Sequence, residues 1–166
     1  MIYRENSIQY EYYRNQKTKE KQHKVNSITK SVLSALVGIA IEQGYIENED
    51  IPIVNYFNDL DDSKKGITIK HLLTMSLGLH YSGNEAMIPS KNWTKFVLEQ
   101  PVEFEPGIQM KYSCGSSHIL SAILQKATGM NTSEFAKKYL FAPLVLTIFT
   151  GIKIHKGFRS VVLVCE

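Results

Sequence analysis

Residues 27–44 have the sequence SITKSVLSALVGIAIEQG, which is the clearest helical pattern in the chain. Apolar side chains recur every three or four positions from Ile28 to Ile41, and the stripe widens until it covers most of the helix circumference. Gly44 stands where helices commonly end. The pattern therefore predicts a helix that begins at Ser27, ends at Gly44 and is buried rather than lying on a surface.

Two residues at the start of this helix have the types and the spacing needed for nucleophilic catalysis. Ser27 and Lys30 are three positions apart, so both lie on one helix face and the amine can reach the hydroxyl. Burial lowers a lysine pKa, and the neutral amine can then accept the serine proton. The first turn of a helix also offers unpaired N–H groups to a developing oxyanion. The alternative is that Ser27 only caps the helix.

The rest of the chain is predicted to be rich in helices after an N-terminal hairpin. The hairpin strands are predicted at residues 8–13 and 22–25, with a polar turn at 15–21. The later helices are predicted from Thr68 through Met75, over residues 91–100, from Ser116 or Ser117 through Thr128, and from Thr132 or Ser133 to about Phe141.

A second candidate element is Tyr112-Ser113-Cys114, which precedes one of these helices. A tyrosine hydroxyl that faces a lysine can be held partly as phenolate, and it can then carry protons between nucleophile and leaving group. The alternative for Tyr112 is an ordinary core tyrosine, one of nine tyrosines in the chain.

Three blocks of sequence resemble one family of serine enzymes. The blocks are residues 23–31 (HKVNSITKS), residues 67–79 (ITIKHLLTMSLGL), and Pro106-Gly107 followed by Tyr112-Ser113. They are similar, in order and spacing, to segments of the serine β-lactamase-like and penicillin-binding family, which includes class C β-lactamases, DD-peptidases and related esterases. The resemblance runs from about residue 8 to residue 144.

The resemblance implies a fold and a set of roles. The fold is α/β (α+β) of the β-lactamase and DD-peptidase type, with the helical region largely present and the antiparallel sheet incomplete. Ser27 would be acylated, Lys30 would be its general base, and Tyr112 would protonate the leaving group. The implied activity is a serine hydrolase that acts through an acyl-enzyme on a lactam, a D-amino-acid peptide or an ester.

The sequence departs from the family pattern at two places. Cys114 stands where the family's Tyr-x-Asn motif has its amide, and a thiol is a weak donor, so substrate binding at that position is changed. The family's third motif, of Lys-Thr-Gly or His-x-Gly type, has no match after Val145, and His155-Lys156-Gly157 is a superficial similarity. We therefore expect one partial domain over residues 1–166, with an atypical tail at 145–166 that indicates a truncated, internally deleted or frame-shifted product.

Two other functions stay open, the first because of these departures and the second if the three matched blocks are accidental. One is a catalytically impaired remnant, or a penicillin-binding or sensing module without turnover. The other is a helical interaction protein unrelated to the family.

Composition limits the other classes of function. The apolar fraction of 43% is ordinary for a globular protein, and the net charge is +3. The basic run from Lys17 to Lys24 is interrupted by Glu20 and lacks the broad basic face of a nucleic-acid site. No signal peptide or membrane-spanning stretch is visible, and the scattered histidines predict neither metal nor cofactor. The expected partner is a small-molecule or peptide substrate, while localisation and oligomeric state stay open, since family members are often exported or membrane-associated.

Overall fold

The computed structural model describes residues 1–20, 23–145, 152–153, 159–160 and 164–165. The helices are α1 (Gln16–Glu20), α2 (Ile28–Glu42), α3 (Ile69–Leu73), α4 (Asn84–Met87), α5 (Trp93–Leu98), α6 (Cys114–Thr128) and α7 (Thr132–Ala136), which continues as a π-helical turn over Lys137–Phe141. Short 3₁₀ turns occupy Ile53–Asn55 and Asp62–Lys64. The strands are β1 (Ile2–Arg4), β2 (Ser7–Tyr10), β3 (His23–Lys24), β4 (Ile152–Lys153), β5 (Arg159–Ser160) and β6 (Val164–Cys165).

Helix α6 is the centre of the helical core. It packs against α2, α3, α5 and α7. The side chains that α2 and α6 bury most completely are Leu36, Val37, Ala40, Ile119, Ala122, Ile123 and Leu124. Each large apolar side chain buried in this way contributes about 1.5 to 3 kcal/mol. The packing fixes the first turn of α2 relative to the first turn of α6, which is where the candidate site residues lie.

Helix α2 confirms the predicted span but not the predicted burial. It runs from Ile28 to Glu42, directly after Ser27, and the chain leaves it through Gly44 at φ +73°. One face is exposed, and along it lie Ile28, which is 61% exposed, and the small residues Ser31, Ala35 and Gly38. Burial of most of the circumference is therefore wrong for the part of the chain that the structure describes, because the described neighbours of α2 pack on its other side.

The N-terminal hairpin is built from different strands than the sequence predicts. Strand β2 pairs with β1 in antiparallel register, and the chain reverses through Glu5 and Asn6, both at positive φ. Strand β3 pairs instead with β6, His23 opposite Cys165. Part of the predicted polar turn forms α1, where Asn15 Oδ1 accepts a hydrogen bond of 2.8 Å from the Thr18 amide. Residues 21 and 22, which the predicted turn and second strand include, lie outside the described residues.

Two predicted helix starts are wrong by one to four residues. Ser113, not Ser116 or Ser117, caps α6, and its hydroxyl accepts from the Ser116 amide. Asn131, not Thr132 or Ser133, caps α7. In both cases an earlier residue has an extended backbone and a side-chain oxygen directed at the first turn, which is what a cap requires. The first correction places Cys114 in the first turn of α6.

Helix α3 begins as predicted, at a cap on Thr68. The Thr68 hydroxyl accepts from the His71 amide, and the His71 ring accepts from the Thr68 amide, so the two residues form a reciprocal capping box. The helix ends at Leu73, two residues before the predicted Met75.

Two irregular segments, residues 75–81 and 101–111, lie side by side and lead into the site. We call them the paired segments. Their backbones are joined by hydrogen bonds from Glu103 N to Gly78 O (2.7 Å), from His80 N to Pro101 O (2.9 Å) and from Lys111 N to Met75 O (2.9 Å). The last of these hydrogen bonds holds the backbone at Lys111, the residue before Tyr112.

Within the described ranges, no helix has the length and apolar character that crossing a bilayer requires.

Candidate active site

The structure brings Ser27, Lys30 and Tyr112 together. The Ser27 Oγ and Tyr112 Oη atoms are 2.7 Å apart, although 85 residues separate them in the chain. Lys30 Nζ lies 3.4 Å from Ser27 Oγ and 5.0 Å from the centre of the Tyr112 ring. The hydroxyl thus has a phenol at short hydrogen-bonding distance and an ammonium at a longer one.

The electrostatics of the trio differ from the sequence prediction. Burial lowers the pKa of Lys30, but hydrogen bonds and charge interactions with Tyr112 and Cys114 outweigh it, and the net pKa is raised. Hydrogen bonds from Ser27 and then Lys30 lower the pKa of Tyr112. The net shift is thus opposite in direction to the one expected from burial alone, because Tyr112 and Cys114 lie close to the amine in the folded chain. The phenol is the group shifted toward the form that accepts a proton.

The site is more open than the sequence predicts. Ser27 is exposed, Lys30 is partly buried, and the Tyr112 side chain is 53% exposed. Water and a substrate can both reach the Ser27 hydroxyl.

The first N–H groups of α2 are already in use. Ile28 N donates to Val25 O, Thr29 N to Asn26 O and Lys30 N to Ser27 O, at distances of 3.0 to 3.1 Å. The expectation that this turn offers unpaired donors is therefore wrong for these three amides.

Cys114 is the fourth predicted site residue, and it borders the trio. Its Sγ atom is 3.5 Å from Lys30 Nζ, and its thiol is free. Because it sits in the first turn of α6, its partly buried side chain points to the same ammonium that faces Ser27.

Two neighbours of the site were missed by the sequence interpretation. One is Tyr81, whose pKa is raised by burial and by the Cys114 thiol, while a hydrogen bond from the Cys114 amide lowers it by less. The Tyr81 hydroxyl also donates a hydrogen bond to Asn84 Oδ1. His118, one turn after Cys114, packs edge-on against Trp93 with ring centres 4.6 Å apart. Only the four-residue spacing from Cys114 could have indicated His118, and nothing in the sequence indicated Tyr81.

No group of three or more His, Cys, Asp or Glu side chains suited to holding a metal occurs among the residues that the structure describes.

Comparison with known proteins identifies the family. The Beta-lactamase family profile matches residues 1–150. The chain belongs to the β-lactamase family. A curated β-lactamase of Escherichia coli K12 is 27% identical over 131 residues, which cover 78% of this chain and 34% of that protein. This chain therefore spans about a third of the length of that β-lactamase.

Solved structures agree with the β-lactamase-type fold. A Bacteroides dorei protein, assigned by inference to the β-lactamases, superposes with a TM-score of 0.73 at 19% identity, covering 97% of this chain and 51% of that one. The D-alanine carboxypeptidase AmpC of Burkholderia cenocepacia superposes with a TM-score of 0.63 at 19% identity, covering 77% and 35%. The expected β-lactamase and DD-peptidase fold, mostly helical with short antiparallel pairs, is confirmed.

The His118 side chain should make this β-lactamase-family chain sensitive to mild acid. Burial, reinforced by the nearby Lys30 charge, lowers the pKa of His118 from 6.5 to about 4. The unfolded chain therefore takes up a proton as the pH falls below about 6.5, whereas the folded chain does so only near 4. The free energy of unfolding should drop by about 3 kcal/mol across this window.

Urea unfolding at pH 7, 6, 5 and 4 measures this slope. His118→Gln cannot titrate, so its unfolding free energy should change by less across the same range, whatever its value at pH 7. Equal slopes for the parent and the variant would contradict the prediction.

Proposed function

We propose that the chain is a serine hydrolase of the β-lactamase-related type, in which Ser27 forms an acyl-enzyme with a lactam, a D-amino-acid peptide or an ester. The observation that supports this most directly is the 2.7 Å contact between Ser27 Oγ and a phenol whose pKa is lowered. A serine hydroxyl needs a positioned base, and the contact supplies one within hydrogen-bonding reach.

The geometry favours Tyr112 as the base rather than Lys30. The Tyr112 phenolate takes the proton of Ser27 Oγ while this oxygen bonds to the substrate carbonyl carbon. The phenol then returns the proton to the leaving nitrogen or oxygen as the acyl bond to it breaks. Lys30, whose pKa is raised, stays an ammonium throughout and stabilises the phenolate. In this proposal Tyr112 is the general base, the role that the family resemblance implied for Lys30.

The names of two relatives and the open site support this choice of substrate classes. The E. coli relative carries the name β-lactamase, and the Burkholderia structure is a D-alanine carboxypeptidase. A lactam and a D-alanyl peptide both present an amide carbonyl to a serine. Cys114, 3.5 Å from Lys30 Nζ, would border the bound amide as a weak donor and acceptor.

Incubation with a fluorescent penicillin, followed by mass spectrometry, tests the proposal. Trypsin releases residues 25–30, which contain Ser27, and we expect the adduct there. Ser27→Ala should abolish labelling. Ser31→Ala, which removes a hydroxyl from the exposed face of the same helix, should leave labelling unchanged. p-Nitrophenyl esters extend the test to ester substrates. Intact penicillin with no adduct on Ser27, together with no release of p-nitrophenol, would overturn the proposal.

The alternative function is a penicillin-binding or sensing module that is acylated without turnover. It is motivated by Cys114, which stands where the family motif has an amide and is only a weak donor to a bound substrate. The lifetime of the adduct decides between the two functions. Loss of label with recovery of unmodified Ser27 supports the hydrolase, and a persistent adduct supports the binding module.

A further inference from the structure

A second trio, made of Glu103, Lys111 and His80, joins the paired segments beside the site. The Glu103 carboxylate accepts from Lys111 Nζ at 2.7 Å through one oxygen and from His80 Nδ1 at 2.5 Å through the other. The hydrogen bonds from His80 and Lys111 lower the pKa of Glu103, so its carboxylate is ionised at neutral pH. One side chain thus links residues on both segments.

The trio lies next to two residues of the site. Lys111 directly precedes Tyr112, and His80 directly precedes Tyr81. Beyond Tyr112, Ser113 is buried and caps α6, so the chain is anchored on that side as well. The Tyr112 ring itself is 53% exposed. Because so little packs on the ring, its place over Ser27 depends mainly on the backbone that carries it.

We propose that Glu103 is a positioning residue: by binding Lys111 and His80 together, it holds the backbone under Tyr112 and so keeps the phenol against the Ser27 hydroxyl. This inference rests on the proposed function of Tyr112 as the base. The charged groups of the trio are partly exposed, and such ion pairs add little to global stability. Their effect is expected in the alignment of one side chain, where a displacement of about 1 Å costs up to a hundredfold in rate.

Titration of the Tyr112 phenol by NMR, in chain labelled at the tyrosine ¹³Cζ atoms, tests this inference. Tyr112→Phe identifies the signal among those of the nine tyrosines. In Glu103→Gln we expect the pKa of Tyr112 to rise toward the ordinary value of about 10, since a displaced phenol loses its contacts with Ser27 and Lys30. A direct charge effect has the opposite sign, because removing a carboxylate and freeing the Lys111 ammonium would lower the phenol pKa.

Glu103→Asp provides a second variant that keeps the charge. Its side chain is one methylene shorter and cannot span both partners, so we expect the same upward movement with no change in net charge. Glu105→Gln is the matched control, since this exposed carboxylate lies in the same segment and forms no ion pair among the described residues. Its Tyr112 titration should equal that of the parent. Acylation by the penicillin should slow by roughly tenfold or more in both Glu103 variants and stay unchanged in the control.

The outcomes separate the inference from the function on which it rests. If the parent Tyr112 titrates at the ordinary value, the phenolate mechanism fails. If the parent value is lowered and neither Glu103 variant moves it upward, the mechanism stands and the positioning role of Glu103 is overturned.

Discussion

Replacing Tyr112 by phenylalanine is expected to slow acylation of Ser27 by about 10²- to 10⁴-fold, the usual contribution of a general base. The ring stays in place but loses the oxygen that lies 2.7 Å from Ser27 Oγ. Because the Tyr112 side chain is half-exposed, the free energy of unfolding should change little. Single-turnover labelling with the fluorescent penicillin measures the rate.

The pH dependence of acylation distinguishes Tyr112 from Lys30 as the base. In the parent chain the rate should rise with pH as the phenol loses its proton, at a pH below the ordinary value of about 10. It should fall again only when Lys30 loses its proton, at a pH above the ordinary lysine value, because the pKa of Lys30 is raised. Tyr112→Phe should lose the rising limb.

The control for this substitution is Tyr12→Phe, which removes an exposed hydroxyl elsewhere. Its acylation rate and pH profile should match those of the parent. A Tyr112→Phe variant that is acylated at the parent rate would contradict the mechanism. So would a rising limb that persists in Tyr112→Phe and disappears in Lys30→Met, since Lys30 would then be the base.

The sequence alone located two helices of the fold. The apolar period after Ser27 located α2, and the cap at Thr68 located α3, because both signals depend on residues three or four positions apart. The pairing of β3 was beyond reach, since its partner is β6, more than a hundred residues away. Strands this short carry no pattern that identifies a distant partner.

In the candidate site, too, features that depend on neighbouring residues could be predicted and contacts between distant residues could not. The Ser27 and Lys30 pair could be found from spacing, and Tyr112 from the family resemblance. The direction of the Lys30 pKa shift could not be predicted from the sequence, because Tyr112 and Cys114 come close to the amine only in the folded chain. Their combined effect on the pKa exceeds that of burial. The contacts of Glu103 could not be predicted either, because its partners His80 and Lys111 are 23 and 8 residues away in the chain.

At Gly78 the paired segments approach each other closely, and Gly78→Ala should therefore have a large effect. A β-carbon at this position would lie 2.0 Å from the Phe104 carbonyl oxygen, and the backbone is at φ +76°, which only glycine adopts easily. The same residue accepts the 2.7 Å hydrogen bond from Glu103 N. The segments must separate to admit a methyl group, so we expect a loss of about 4 kcal/mol or more in unfolding free energy.

Two glycines provide matched controls for Gly78→Ala. Gly129 has φ +69° but open space around it, so Gly129→Ala measures backbone strain alone, about 1 to 2 kcal/mol. Gly66 has neither close neighbours nor a positive φ, so Gly66→Ala should be nearly neutral. Urea unfolding of the three variants isolates the clash as the difference between Gly78→Ala and Gly129→Ala. A difference of zero would mean that the backbone around Phe104 moves away from the added methyl group at no cost in free energy. A segment that moves so easily could not hold Tyr112 against Ser27.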